Sequence, residues 1–288
     1  MTEQPASTSQ STPQPTRVTS PNAALEGRPL AVVTGASSGI GLELARQFVD
    51  HHFDVIVAAE DAEIAVAAAV LRAESESEVT PVQVDLRTQE GVEDLYAAIQ
   101  ADGRPLAAIA LNAGHGQGGA FVDIDLADEL SIIDLNIVST VRLAKLVLRD
   151  MVVRDEGRVL VTSSIASTMP GSFQAVYNAS KSFLQSFTEA LQNELKDTNV
   201  TLTSLMPGPT ETDFFERADM AEDTKVGTSK KDDPAQVARQ GFDALMAGKA
   251  RVVGGGLKTK VQEAAGKAMP DKLKAAMHRQ MAEPGSGD

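Results

Sequence analysis

The 288-residue chain contains no cysteine, which excludes disulfides, thiol nucleophiles, iron–sulfur clusters and thiolate zinc sites. Histidine is scarce as well: there are four, with His51 and His52 adjacent, so a histidine-built metal centre is not expected. No stretch approaches the roughly 18 to 20 uncharged apolar residues that cross a bilayer, and the N-terminus lacks the basic-then-apolar order of a secretory signal. A cytoplasmic protein without a membrane span is the expectation. Cations are in deficit: 26 Lys and Arg stand against 40 Asp and Glu, a formal charge of −14 that argues against nucleic acid as a partner, because phosphates would be repelled. Chemistry is left to hydroxyls, amines, carboxylates or a bound cofactor.

What is present suffices for a core, since 42% of residues are hydrophobic and the length allows one large or two small domains. The charge is unevenly spread. Lys249, Arg251, Lys258, Lys260, Lys267, Lys272, Lys274 and Arg279 face only Glu263 and Asp271 between residues 249 and 282. This basic stretch reads as a solvated helix face or an intersubunit contact, with a partner or an anionic membrane surface as the alternative. Residues 1 to 27 are dominated by Ser, Thr, Pro and Gln, offer little apolar surface to offset the entropy of ordering, and are expected as a disordered tail.

From Leu30 onward, short β-branched runs alternate with longer segments of helical period. Strands are expected over 30–34, 54–59, 80–85, 106–113, 158–163, 200–206 and 251–253, and their continuous apolar runs suit strands buried on both faces. Helices are expected near 40–51, 61–74, 88–101, 126–154, 174–196, 234–247 and 258–281, with Asp233 capping a helix that begins at Pro234. The fold class is α/β, a Rossmann-like doubly wound parallel sheet of about seven strands with helices on both faces. Residues 28–255 read as a single domain, and 256–288 as a basic helical extension with a short tail.

The first strand runs into Thr34-Gly35-Ala36-Ser37-Ser38-Gly39-Ile40-Gly41 and then an amphipathic helix. Glycines at 35, 39 and 41 let the backbone turn tightly and approach a ligand, and the helix start offers unpaired N–H groups to a pyrophosphate. A mere tight turn remains the alternative. Downstream, Tyr177 and Lys181 lie one helical turn apart on one face, and Ser163 and Ser164 end a strand whose C-terminal edge can meet that helix. Strand alternation points only one of the two serines into such a site. His115, flanked by glycines, reads as a flexible surface histidine. Met169, Phe173, Met206, Phe214 and Phe215 are either core or pocket lining.

Taken in order, TGASSGIG at 34–41, Asp85-Leu86, Asn112-Ala113-Gly114, Asn136, Ser164 thirteen residues before Tyr177, the Tyr-x-x-x-Lys pair and Pro207-Gly208-Pro209-Thr210-Glu211-Thr212 resemble the short-chain dehydrogenase/reductase family. The resemblance covers about residues 28 to 255. It implies hydride transfer between NAD or NADP and a small-molecule alcohol or carbonyl, in a homodimer or homotetramer joined through the helices near 126–154 and 174–196. By position, Tyr177 would be the acid for carbonyl reduction and the base for alcohol oxidation, its phenolate favoured by the Lys181 charge together with an oxidised nicotinamide. Lys181 would also hold the nicotinamide ribose, Ser164 would donate to the substrate oxygen, and Asn136 would hold a helix bend and a proton-passing water. The cofactor would run along Gly35, Ser37, Ser38, Gly39, Ile40, Gly41, Glu60, Asp85, Leu86, Asn112, Ala113, Gly114, Tyr177, Lys181, Pro207, Gly208, Thr210 and Thr212.

The family's usual acidic position at the end of the second strand aligns with Ala59, and Glu60 stands where NADP-dependent members often carry Arg. With no Lys or Arg in the glycine turn or between Phe53 and Arg72, NAD is favoured over NADP. The competing functional reading is a dinucleotide-binding redox sensor or scaffold with negligible turnover.

Overall fold

The computed structural model of the chain describes residues 27–220 and 224–287. The tail expected over 1–27 therefore lies outside the described residues, apart from Gly27. Seven strands alternate with helices: β1 (Leu30–Thr34), β2 (Asp54–Ala59), β3 (Val79–Gln83), β4 (Leu106–Leu111), β5 (Gly157–Thr162), β6 (Val200–Pro207) and β7 (Arg251–Gly254). All pair in parallel, in the order β3-β2-β1-β4-β5-β6-β7. The order reverses between β1 and β4, and ligands of such sheets bind at the strand C-termini beside that reversal.

Alternation along each strand sorts the core into two layers. Ala31 and Val33 of β1, with Val55 and Val57 of β2, face α1 (Gly39–Asp50), α2 (Glu63–Glu74) and α9 (Pro234–Met246), where Phe48, Phe53 and Phe242 meet edge to face. Leu30, Val32 and Ile56 face the opposite layer, built from α3 (Gln89–Asp102), α5 (Ser139–Arg154) and α6 (Ala175–Glu194). Strands β1 and β2 are buried throughout, as their unbroken apolar sequences require. Pro81 sits in β3, an edge strand, where its missing N–H breaks no interior ladder.

Several boundaries differ from the sequence expectation, each for a local reason. Strand β3 stops at Gln83, because the Asp85 carboxylate accepts the Arg87 N–H at 2.9 Å and turns the chain. Strand β4 stops at Leu111, because the N–H groups of Asn112 and Ala113 donate to Thr34 Oγ1 at 2.9 and 3.0 Å. The helix expected over 126–154 forms as α4 (Leu126–Ile132), a π-helical segment (Ile133–Val138) and α5. The helix expected over 258–281 is two, α10 (Leu257–Ala268) and α11 (Asp271–Ala282), since Pro270 lacks the N–H to carry one through. Helix α9 begins as expected, Asp233 Oδ1 accepting the Ala235 N–H at 3.0 Å. Two short helices, α7 (Phe214–Arg217) and α8 (Lys225–Thr228), follow β6. No helix among the described residues is long and apolar enough to cross a membrane.

Candidate active site

The glycine turn is fixed by what it excludes. Gly35 has φ +65, its N–H donates to the Ala58 carbonyl at 2.8 Å, and a Cβ on it would lie 2.9 Å from Ala113 Cα. A Cβ on Gly41 would overlap the Gly35 carbonyl oxygen, so the start of α1 closes onto the turn only as glycine. Gly39, at φ +57, leaves room for Thr212, which covers the turn from the β6 side. Asn112 ties turn to sheet: its amide donates to the Thr34 carbonyl at 3.1 Å and accepts from Thr162 Oγ1 at 3.0 Å. The open N-terminus of α1 faces the cleft with no side-chain cap, leaving its N–H groups for a pyrophosphate.

Across the cleft, α6 presents Tyr177 and Lys181. Lys181 is buried, donates to the Thr162 carbonyl at 3.0 Å, and has its Nζ 5.8 Å from the Tyr177 ring centroid. Burial pushes its pKa down to about 8. The same burial pushes the Tyr177 phenol up to about 12, offset in part by the hydroxyl of Ser164. Desolvation is the larger cause and the Ser164 hydrogen bond the smaller one that opposes it.

The two serines separate cleanly. Ser163 Oγ donates to the Lys181 carbonyl at 3.0 Å and so fastens α6 to β5, whereas Ser164 lies against the phenol. Ser164 Oγ also accepts the Ala166 N–H at 3.1 Å and donates to the Pro207 carbonyl at 3.4 Å, a long bond that a substrate oxygen can replace. Asn136 is fully buried in the π-helical segment, behind the cleft wall. Its Oδ1 accepts the His115 N–H at 3.0 Å, and its Nδ2 donates to the His115 carbonyl and to Ser180 Oγ, both at 2.9 Å. Asn136 therefore sets the loop after β4 beside Lys181 and retains one Oδ1 lone pair. His115 is not a free surface histidine: it is half-buried, contacts Ser131 Oγ through Nε2 at 2.9 Å, and burial lowers its pKa.

Every other residue assigned from sequence lines one cleft of about 550 Å³ at the C-terminal edge of the sheet. Glu60 is there, but its carboxylate is engaged by Arg87 at 2.8 Å. Arg87 also pairs with Asp85 at 2.9 Å and holds that carboxyl below its usual range. This cation escaped the sequence reading, although β2 and β3 are neighbours in a doubly wound sheet and the loops that follow them must meet. Asp61 was also passed over. Its Oδ2 accepts from Ser37 Oγ at 2.9 Å, and its Oδ1 is buried with no hydrogen-bond partner. The opposite wall takes in Met169, Phe214 and Phe215, and from the chain's end Gln262, His278 and Met281. Met206 is core, while Phe173 packs beneath Phe215.

The glycine turn, the orphaned carboxylate oxygen and the paired phenol and ammonium fit a nicotinamide dinucleotide laid across the sheet reversal. The comparisons agree. The family model described as short chain dehydrogenase matches residues 29–223. An uncharacterized oxidoreductase of Staphylococcus saprophyticus is 29% identical over 217 residues, 75% of this chain and 90% of that protein. Among solved structures, a short-chain dehydrogenase from Sphingobium yanoikuyae in complex with NADPH superposes with TM-score 0.73 at 25% identity, covering 78% of this chain and 87% of that one. The fold recurs, also with TM-score 0.73 but at 23% identity, in a short-chain dehydrogenase/reductase from Burkholderia phymatum in complex with NAD, covering 83% of this chain and 91% of that one. The chain belongs to the short-chain dehydrogenase family. It is an oxidoreductase of alcohols and carbonyls that uses a nicotinamide dinucleotide, and nothing found favours a turnover-free sensor.

Proposed function

We propose that the chain interconverts a secondary alcohol and a carbonyl with Tyr177 as the group that gives and takes the proton. The observation that carries this reading is the convergence of Ser164, Tyr177 and Lys181 at the cleft that the glycine turn opens. When bound, the nicotinamide supplies or accepts the hydride. In the reductive direction the Ser164 hydroxyl donates to the carbonyl oxygen, stabilising the charge that develops there, and Tyr177 Oη delivers its proton to the same oxygen. A phenol held near 12 is fully protonated at neutral pH, as this step requires. Lys181 stabilises the resulting phenolate and reaches the nicotinamide ribose, while Asn136 is a positioning residue. A screen of ketones and alcohols by absorbance of the reduced nicotinamide tests the reading, with Tyr177→Phe as the control that must lose turnover.

For the cofactor we infer a preference for NAD. Three carboxylates, Glu60, Asp61 and Asp85, stand at the adenosine end against Arg87 alone, and two of them already occupy that guanidinium. The unpartnered Asp61 Oδ1 is suited to accept the ribose 2′-hydroxyl, and opposite a 2′-phosphate it would add repulsion. Titration of both nucleotides into the wild type and Asp61→Asn tests this: NAD binds tighter to the wild type, and the preference shrinks in the variant. Tighter wild-type binding of NADP contradicts it.

The same reading makes residues 28–255 one Rossmann-like domain whose cleft is completed by 256–288, in a cytoplasmic homodimer or homotetramer. Leu126 and Leu130 on α4, Val153 on α5 and Phe183 on α6 are exposed on the helices expected at the subunit contact, which supports association there. Light scattering reporting a monomer at micromolar concentration would contradict it, and cell fractionation checks the location.

A further inference from the structure

The wall facing the substrate is completed by the end of the chain. His278 and Met281, three residues apart on one face of α11, line the same cleft as Tyr177, as does Gln262 of α10. The imidazole is buried and held: Nδ1 lies 2.9 Å from the Ser172 carbonyl oxygen, and Ser172 Oγ donates back to the Ala275 carbonyl at 3.2 Å. A carbonyl oxygen can only accept, so Nδ1 carries the proton. In the neutral ring Nε2 is then a bare lone pair, and among the described residues it has no hydrogen-bond partner. Burial holds the ring below its ordinary pKa, only partly offset by the Ser172 carbonyl, which keeps it neutral. Around it the wall is largely apolar, formed by Met169, Phe214, Phe215, Val226 and Met281, while Asp213 and Arg217 pair with each other at the exposed rim at 3.8 Å.

We infer that His278 is a specificity-determining residue: its Nε2 accepts a hydrogen bond from a hydroxyl or N–H carried by an otherwise apolar carbonyl substrate, away from the reacting carbonyl. This rests on the Tyr177 chemistry proposed above. A ligand that lacks the donor leaves a desolvated acceptor unpaired, and a buried polar atom left unpaired penalises binding more than a satisfied one rewards it. Because the ring is locked by Ser172 before any ligand arrives, the contact needs no rearrangement.

The test compares hydroxybenzylacetone with its O-methyl ether, two ketones that differ at the distal oxygen, where a methyl group replaces the donated proton. The change of the ratio on substituting His278 separates the lost donor from the added methyl. Calorimetry on the full-length Tyr177→Phe protein loaded with reduced dinucleotide reads binding without turnover. The hydroxyl compound is expected to bind about tenfold tighter than the ether. His278→Asn keeps a donor at the Nδ1 position and removes the Nε2 acceptor, and brings the two affinities to within about twofold while melting temperature and dinucleotide affinity hold. His278→Gln, which returns an acceptor towards the cleft, restores part of the preference. Equal affinities with His278 in place, or a tenfold preference that survives His278→Asn, overturn the inference. Turnover of both ketones by the wild type is followed separately: its absence counts against the Tyr177 chemistry, whereas the calorimetric ratio reads His278 alone.

Discussion

At the β1–β4 end of the cleft the walls are mainly backbone, whereas at the β5–β7 end they are side chains brought together from distant parts of the chain. Gly35, Gly39 and Gly41 lie within seven residues, and their fit depends on a carbonyl, a loop and one threonine pressed where Cβ atoms would be. Ser172 and His278, which shape the other end, are 106 residues apart. A dinucleotide needs the same turn whatever the substrate, so that half tolerates little variation. The substrate half consists of side chains on short helices, where a change alters shape without breaking the sheet.

Gly41→Ala should break the backbone half outright. Its Cβ would overlap the Gly35 carbonyl, so dinucleotide binding is expected to be lost and the melting temperature to fall, as calorimetry and thermal unfolding would show. Dinucleotide affinity retained within about twofold would mean the turn is not a backbone cradle.

A smaller and graded effect comes from the boundary between the halves, where Lys181 is held at about 8 against an ordinary value of 10.5. Its ammonium is present below about pH 8 and lost above it. Reductive kcat/KM is therefore expected to be level below that pH and to fall about tenfold per pH unit above it, because this ratio reports the free enzyme. Tyr177, held near 12, cannot supply this limb. A profile flat to pH 10 would show that the ammonium is not required.

The smallest expected change lies in the substrate half. The Phe214 ring packs 5.2 Å from the Tyr177 ring. Phe214→Ala should raise KM by roughly three- to tenfold, the worth of an aromatic pair, and leave dinucleotide affinity unchanged. Loss of dinucleotide binding in this variant would erase the distinction between the two ends.

This division also explains what could be read from sequence. The strand and helix segments and the glycine turn depend on period and on residues near one another in the chain, so strands such as 30–34 and 54–59 were placed to the residue. Ser164 was separable from Ser163 only through spacing to Tyr177. The break at Pro270 was legible in principle, since a proline inside a helical pattern ends or kinks it. The pairing of Arg87 with Glu60 required knowing that the loops after β2 and β3 meet at one end of the sheet. His278 gave no local signal, because nothing in the sequence around it says which face of α11 meets the cleft. The phenol's raised pKa depended on burial, which only the packed structure supplies.

The most direct test of the account is Tyr177→Phe, which removes the transferable proton and nothing else from the cleft. Steady-state kinetics on a verified ketone, combined with dinucleotide titration, should show kcat reduced at least about a hundredfold while the dinucleotide Kd stays within about twofold. Turnover close to wild type would place the proton donor elsewhere, and an equal collapse of dinucleotide affinity would show that Tyr177 serves binding rather than proton transfer.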